Sequence, residues 1–273
     1  MTAQAPSALP YRLIATDLDG TLLRRDESVS GRTRAALAAA SARGAAHIVV
    51  TGRSVTLTKH ILADLGHAGL AVCGQGAQVY DAGGQRLLTS MTLDRQLARL
   101  ALAKIEVETG PLALAAARDG LDGEVVFGPR YQSWHGPPSG MNCTDPDELW
   151  AAPLIKLYLQ HPGLDADALA KAARAAAGDL VGITMSGEGL VELLPLGLSK
   201  ARGLSIAARR LGVPAEGTIA FGDMPNDVPM LGWAAHGVAM ENAHPELLAV
   251  ADEVTASNDD DGIAVVLERL LAA

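Results

Sequence analysis

The chain has 273 residues, 49% of them hydrophobic but only 3% aromatic, and carries a formal net charge of −9. That charge repels phosphate backbones and anionic membrane surfaces, so neither nucleic acid nor membrane is an expected partner; a small phosphorylated molecule escorted by a cation stays admissible. The two cysteines, Cys73 and Cys143, have no metal-type spacing, the N-terminus lacks the pattern of a signal peptide, and no apolar run reaches the ~18 residues of a membrane span. A cytoplasmic protein is expected.

The run Leu13-Ile14-Ala15 predicts a short buried strand over 11–16, ending at Asp17. Ser30 is placed to cap a helix that runs to Arg43, with Gly44 as its stop. "HIVV" (47–50) is the next strand, ending at Thr51-Gly52-Arg53, and a helix follows to about Leu65. "LAVC" is a third strand, ending at Gly74. Residues 84–190 read differently: a helix over about 93–108, "PLALAAA" and "EVVFG" as antiparallel strands, the loop "PRYQSWHGPPSGMN", the strand "LIKLYLQ", the helix "DADALAKAARAAA", and a hairpin from "LVGITMS" and "GLVELLP". Beyond them "GTIAF" (217–221) ends at Gly222-Asp223, "HGVAM" (236–240) at Glu241-Asn242 and "DEVTA" (252–256) at Ser257-Asn258. Strands alternating with helices predict βαβ units and a parallel sheet, hence an α/β fold over 1–83 and 191–273, with an α+β unit over 84–190 inserted into it.

Polar residues collect just after the strands, at the edge where open α/β sheets bind ligands. Asp17 and Asp19, Thr51, Lys200 at a helix start, and Asp223 with Asp227 are the stations. Singly, each is an ordinary turn or capping residue; together they would gather carboxylates, a hydroxyl and an ammonium on one sheet edge. His60 and His67 read as a surface stripe rather than a metal site. No dinucleotide loop, GxxxxGK[ST] loop or G-x-S-x-G elbow is present.

"DLDGT" (17–21), "TGR" (51–53), the lone lysine of "GLSK" (197–200) and "GDMPND" (222–227) resemble, in chain order, the four motifs of the haloacid dehalogenase superfamily. The large insertion between the second and third motifs, and the tail from "GVAMENAHPELL" on, are similar to its Cof-type phosphatases. The resemblance implies a Rossmann-like core with an inserted cap domain, and a Mg²⁺-dependent phosphatase of small phosphomonoesters, sugar phosphates in class, working through an aspartyl-phosphate. It implies Asp17 as nucleophile and Asp19 as acid and base. Thr51 and Gly52 would hold the phosphoryl group, with Asn226 beside it or orienting Lys200, and Lys200 would supply positive charge. Asp17, the Asp19 carbonyl, Asp223 and Asp227 would hold the metal. In the cap loop, Arg130 and His135 are the candidate specificity residues. Two positions depart from the pattern: Gln75 replaces the usual Asn before Gly76-Ala77, and Glu241, read as solvent-facing, replaces a usual Gly.

Three other readings remain open on these residues: a phosphomutase or phosphotransferase using the same machinery, a non-catalytic phospho-metabolite binder, and a receiver-like signalling protein. A receiver is shorter, has adjacent early acids and places its lysine last; here Asp19 is two residues from Asp17, and Asp223 follows Lys200.

Overall fold

The computed structural model describes residues 9–132, 141–186 and 190–272. Its elements in chain order begin with β1 (Leu13–Thr16), α1 (Gly31–Ala42), β2 (Ala46–Val50), α2 (Val55–Asp64), β3 (Leu70–Cys73), β4 (Gln78–Asp81) and β5 (Arg86–Ser90). The inserted unit supplies α3 (Arg95–Thr109), β6 (Ala113–Arg118), β7 (Val125–Phe127), β8 (Met141–Asn142), β9 (Leu154–Gln160), α4 (Ala166–Ala177), β10 (Gly182–Met185) and β11 (Val191–Leu194). The chain ends with α5 (Lys200–Arg210), β12 (Thr218–Gly222), α6 (Val228–Trp233), β13 (His236–Ala239), α7 (Pro245–Leu248), β14 (Glu253–Val254) and α8 (Gly262–Ala272).

The core sheet has the order β14-β13-β12-β1-β2-β3-β4-β5, parallel from β14 to β3. Helices cover both faces, so β1 is buried at every residue rather than alternating. Its side chains still divide by the two-residue period: Ile14 joins Val49, Phe221 and Ile263 in one apolar layer, and Leu13 and Ala15 join Ile48, Val50, Leu204 and Met230 in the other. The antiparallel hairpin β4–β5 extends the sheet and escaped the sequence reading. The expected 83/84 division falls inside it, and its second strand pairs with the core sheet. His67 also differs from expectation. The helix stops at Asp64, so His67 lies beyond it, stacks edge-on against His47 and contacts the Leu70 carbonyl instead of sharing a face with His60.

The inserted unit is a six-stranded sheet, β10-β11-β9-β6-β7-β8, antiparallel except for the β7–β8 pair. The helix N-cap residues Asp94 and Asp165 accept backbone N–H bonds at the starts of α3 and α4. Those helices pack on one face of the sheet, over Leu157, Leu159, Val191 and Leu193. On the opposite face Ile155, Ala117 and Leu194 meet Ala77 of the core and Leu198 of the returning chain. A register shift at Ala117/Arg118 lies beside β9 where this contact is made. Among the described residues no helix is long and apolar enough to cross a membrane.

Candidate active site

Register fixes the carboxylates. The Asp17 N–H donates to the Phe221 carbonyl at 2.9 Å, so β1 and β12 end side by side and bring Asp17 next to Asp223. The Thr51 N–H donates to the Val72 carbonyl at 2.7 Å, which places the end of β2 on the same edge. Ser199 caps α5 by accepting from the Arg202 N–H, and Lys200 is the first residue of that helix. Its ammonium, 1% exposed, reaches Asp17 Oδ1 at 2.8 Å and Asp227 Oδ1 at 2.7 Å.

Gly20 makes the turn after Asp17 possible. It takes φ +69°, and an added Cβ would lie 2.2 Å from Asp223 Oδ2. The turn lets Thr21 donate its hydroxyl to Asp223 Oδ1 at 2.8 Å. Asp227 Oδ2 accepts the N–H groups of Asp223 and Met224, so both Asp227 oxygens are engaged.

Asp17, Asp223 and Asp227 offer oxygens within 4.8 Å of one another, all buried, against one ammonium. Burial, reinforced by Asp227, raises the Asp17 carboxyl well above its usual range despite Lys200. The same two causes push Asp223 up to about 7, against the Thr21 hydrogen bond and the Lys200 charge. Burial works against the Lys200 charge, but Asp17 and Asp227 outweigh it and hold the ammonium above the usual lysine range. The surplus of buried negative charge suits a hard divalent cation with oxygen ligands. The cluster can hold such a metal.

Thr51 is fully buried, and its Oγ1 accepts the Arg53 N–H at 3.0 Å. Asn226 donates to Gln75 Oε1 at 3.0 Å, while Asn226 Oδ1 and Gln75 Nε2 are buried without partners among the described residues. Gln75 Nε2 lies against Gly52, where an added Cβ would come within 2.6 Å of it. The longer side chain at position 75 therefore reaches the turn that carries Thr51 and Gly52, with an N–H to spare. Asp19 is turned away from the cluster. Half-exposed, it accepts from Arg53 Nε at 2.9 Å, and Arg53 also reaches Glu27 at 2.8 Å. Glu241 is exposed, as expected.

Of the two cap residues expected to set specificity, Arg130 lies apart from this constellation in the structure. Arg130 is exposed and donates to the Leu112 carbonyl at the start of β6, whereas Asp119, just past the other end of that strand, is what touches the core. His135 lies outside the described residues. Sequence reasoning missed the roles of Arg53, Lys156 and Glu192. Lys156 Nζ, on β9, donates to Glu192 Oε1 at 2.6 Å and to the Gly52 carbonyl at 2.7 Å. A lysine in the otherwise apolar stretch of "LIKLYLQ" was the available signal.

Comparison with known proteins agrees with this geometry. Residues 14–267 match the haloacid dehalogenase-like hydrolase family. The chain is 29% identical to the 5-amino-6-(5-phospho-D-ribitylamino)uracil phosphatase of Bacillus subtilis (strain 168), covering 96% of this chain and 98% of that one. It is 31% identical to an HMP-PP phosphatase of Serratia proteamaculans (strain 568), covering 89% of each. Its fold superposes on a HAD subclass IIB sugar phosphatase with a TM-score of 0.80 at 21% identity, over 94% of this chain and 98% of that one. The chain belongs to the haloacid dehalogenase-like hydrolases.

Proposed function

We propose that the protein is a Mg²⁺-dependent phosphatase of small phosphomonoesters, sugar phosphates in class, acting in the cytoplasm through an aspartyl-phosphate on Asp17. One observation carries this reading. Asp17 has one oxygen on the buried Lys200 and shares a buried carboxylate cluster with Asp223 and Asp227.

An Asp17 carboxylate oxygen attacks phosphorus, and the bond from phosphorus to the leaving oxygen breaks. Asp19 gives its proton to that leaving alkoxide, then takes one from the water that attacks the aspartyl-phosphate. Phosphorus–oxygen cleavage at Asp17 releases orthophosphate and restores the carboxylate. At rest Arg53 holds Asp19 turned away from the cluster, so Asp19 swings from that pair to reach the leaving oxygen. The Thr51 hydroxyl and the Gly52 N–H donate to the transferring group, and Lys200 offsets charge on it and on Asp17. Asn226 and Gln75, with their unpartnered polar atoms, line the same turn. Asp17, Asp223 and the Asp19 carbonyl, with Asp227, would hold Mg²⁺, which would supply the positive charge that three carboxylates and a phosphate require.

Both curated relatives carry names for small phosphorylated metabolites, which supports the size class. Two buried free cysteines suit a reducing compartment. The test is phosphate release from a panel of phosphorylated metabolites with Mg²⁺, for the native chain and for Asp17→Asn. Release that Asp17→Asn abolishes without lowering the melting temperature is expected. Release by the folded variant, or none by the native chain from any ester, would overturn the reading.

A further inference from the structure

Lys156 is a fully buried lysine on the cap, and the reaction described above leaves it unused. Its surroundings are unusual for a structural residue. It sits 1% exposed on the sheet face turned to the core, its ammonium 4.4 Å from the Tyr158 ring centroid. Glu192, also 1% exposed, accepts from it with Oε1, as it does from Ser186 at 2.9 Å. Glu192 Oε2 has no partner among the described residues. A buried pair that leaves one oxygen unpaired is a poor source of stability, because desolvation of both ions is incompletely offset.

What the pair does reach is the phosphate-binding turn. Lys156 Nζ donates to the Gly52 carbonyl across the cap–core boundary. The Gly52 C=O and the Arg53 N–H belong to one planar trans peptide and point in opposite directions. Drawing the carbonyl toward Lys156 therefore aims the Arg53 N–H the other way, where it donates to Thr51 Oγ1. With that lone pair occupied, the Thr51 hydroxyl keeps its own proton to donate. The chain of contacts runs from Glu192 through Lys156 and one peptide group to the hydroxyl that faces the transferring phosphoryl, each link polarising the next.

We infer that Lys156 is a positioning residue of the reaction: aimed by Glu192, it fixes the Thr51–Gly52–Arg53 turn from the cap and sets the Thr51 hydroxyl to donate. The inference rests on the phosphatase reading for its catalytic consequence, and on geometry alone for the tie. A cap that has lifted away takes the ammonium with it, so the turn is fully ordered only when the cap is closed.

The experiment compares the native chain with Lys156→Met and with the double variant Lys156→Met, Glu192→Leu. The double variant buries no lone charge and so guards against misfolding of the single one. Three quantities are read: the melting temperature, amide hydrogen exchange over residues 51–54, and steady-state hydrolysis of p-nitrophenyl phosphate with Mg²⁺. In the double variant the melting temperature and the Mg²⁺ requirement should stay near native. Exchange over 51–54 should quicken about tenfold, and kcat should fall about tenfold with KM little changed, since misplacement acts on the reacting geometry. A folded double variant with native exchange at 51–54, or with native kcat, overturns the inference while leaving the phosphatase reading intact. If the native chain hydrolyses no ester, the phosphatase reading fails by itself, and exchange over 51–54 then decides whether Lys156 ties the turn.

Discussion

Among the described residues Lys200 is the sole ammonium against three buried carboxylates, and its removal should be felt in stability before any substrate is added. In the metal-free protein Lys200→Met leaves Asp17 and Asp227 without the cation that lies 2.8 and 2.7 Å from them. Breaking a buried ion pair on one side costs about 3–5 kcal/mol. For a chain of this size that corresponds to a fall in melting temperature on the order of 10 °C. The penalty must depend on pH. Asp17 and Asp223 already have raised pKa values in the fold, Asp223 at about 7. A raised folded-state carboxyl binds its proton more tightly than the unfolded chain does, so stability falls as pH rises from the ordinary carboxylate range through the folded pKa. Without Lys200 the repulsion grows and protonation relieves more of it. Urea unfolding in chelator should therefore give the full penalty near pH 8 and roughly half of it or less near pH 5. A loss below about 1 kcal/mol at pH 8, or one that is the same at both pH values, would refute the charge accounting.

Two further outcomes follow from the same cluster. Chelator should abolish phosphate release and Mg²⁺ restore it; the stabilisation given by Mg²⁺ should also grow between pH 5 and pH 8, because the ion displaces the proton that Asp223 holds up to about 7. A metal-induced melting shift that is flat over that range would count against Asp223 as a ligand. Asp19→Asn should slow alkyl phosphates far more than p-nitrophenyl phosphate in the first half-reaction, since an acidic leaving group needs little protonation; single-turnover rates that fall equally for both would remove Asp19 from the acid role.

Much of the site was legible because topology does the gathering. In a parallel sheet every strand ends on the same edge, so residues that follow strands, such as Asp17, Thr51 and Asp223, converge whatever fills the interior. Lys200 was legible as the first residue of a capped helix. The partners of these groups were not. Arg53 meets Asp19 across 34 residues and Lys156 meets Glu192 across 36, and such pairings depend on register and side-chain direction that no local pattern encodes. The β4–β5 hairpin hid for a different reason. Gln78 is a buried polar residue in β4, held by donation to Asp119 and by accepting from the Val55 N–H, and so it breaks the apolar signature of a strand. Arg130 follows β7 at the edge of the cap sheet, where it donates to the Leu112 carbonyl, a pairing that no local pattern encodes.

How the two units meet bears on substrate size. The insertion leaves the core sheet after its edge strand β5 and returns just before α5, whose first residue is Lys200 of the cluster. The apolar part of the junction gathers Ala77, Ala117, Ile155, Leu194 and Leu198, flanked by Met91 and Tyr158, with Leu121 on the core's apolar layer. Polar contacts join it, among them Gln78 to Asp119 at 3.0 Å, Thr56 to the Leu121 carbonyl at 3.1 Å, and Lys156 to Gly52. A junction that mixes polar and apolar contacts in this way is the sort that opens and recloses, in contrast to a large, wholly apolar one. When closed, the cap touches the very turn that would hold the phosphoryl group, so a leaving group must fit within the space between the units. Hexose or pentose phosphates should therefore be hydrolysed with kcat/KM on the order of a hundredfold above that for an intact phosphoprotein. The measurement is phosphate release from both at matched concentration, with a phosphopeptide of intermediate size between them. A phosphoprotein turned over as well as the sugar phosphates would mean that the cap does not close over bound substrate.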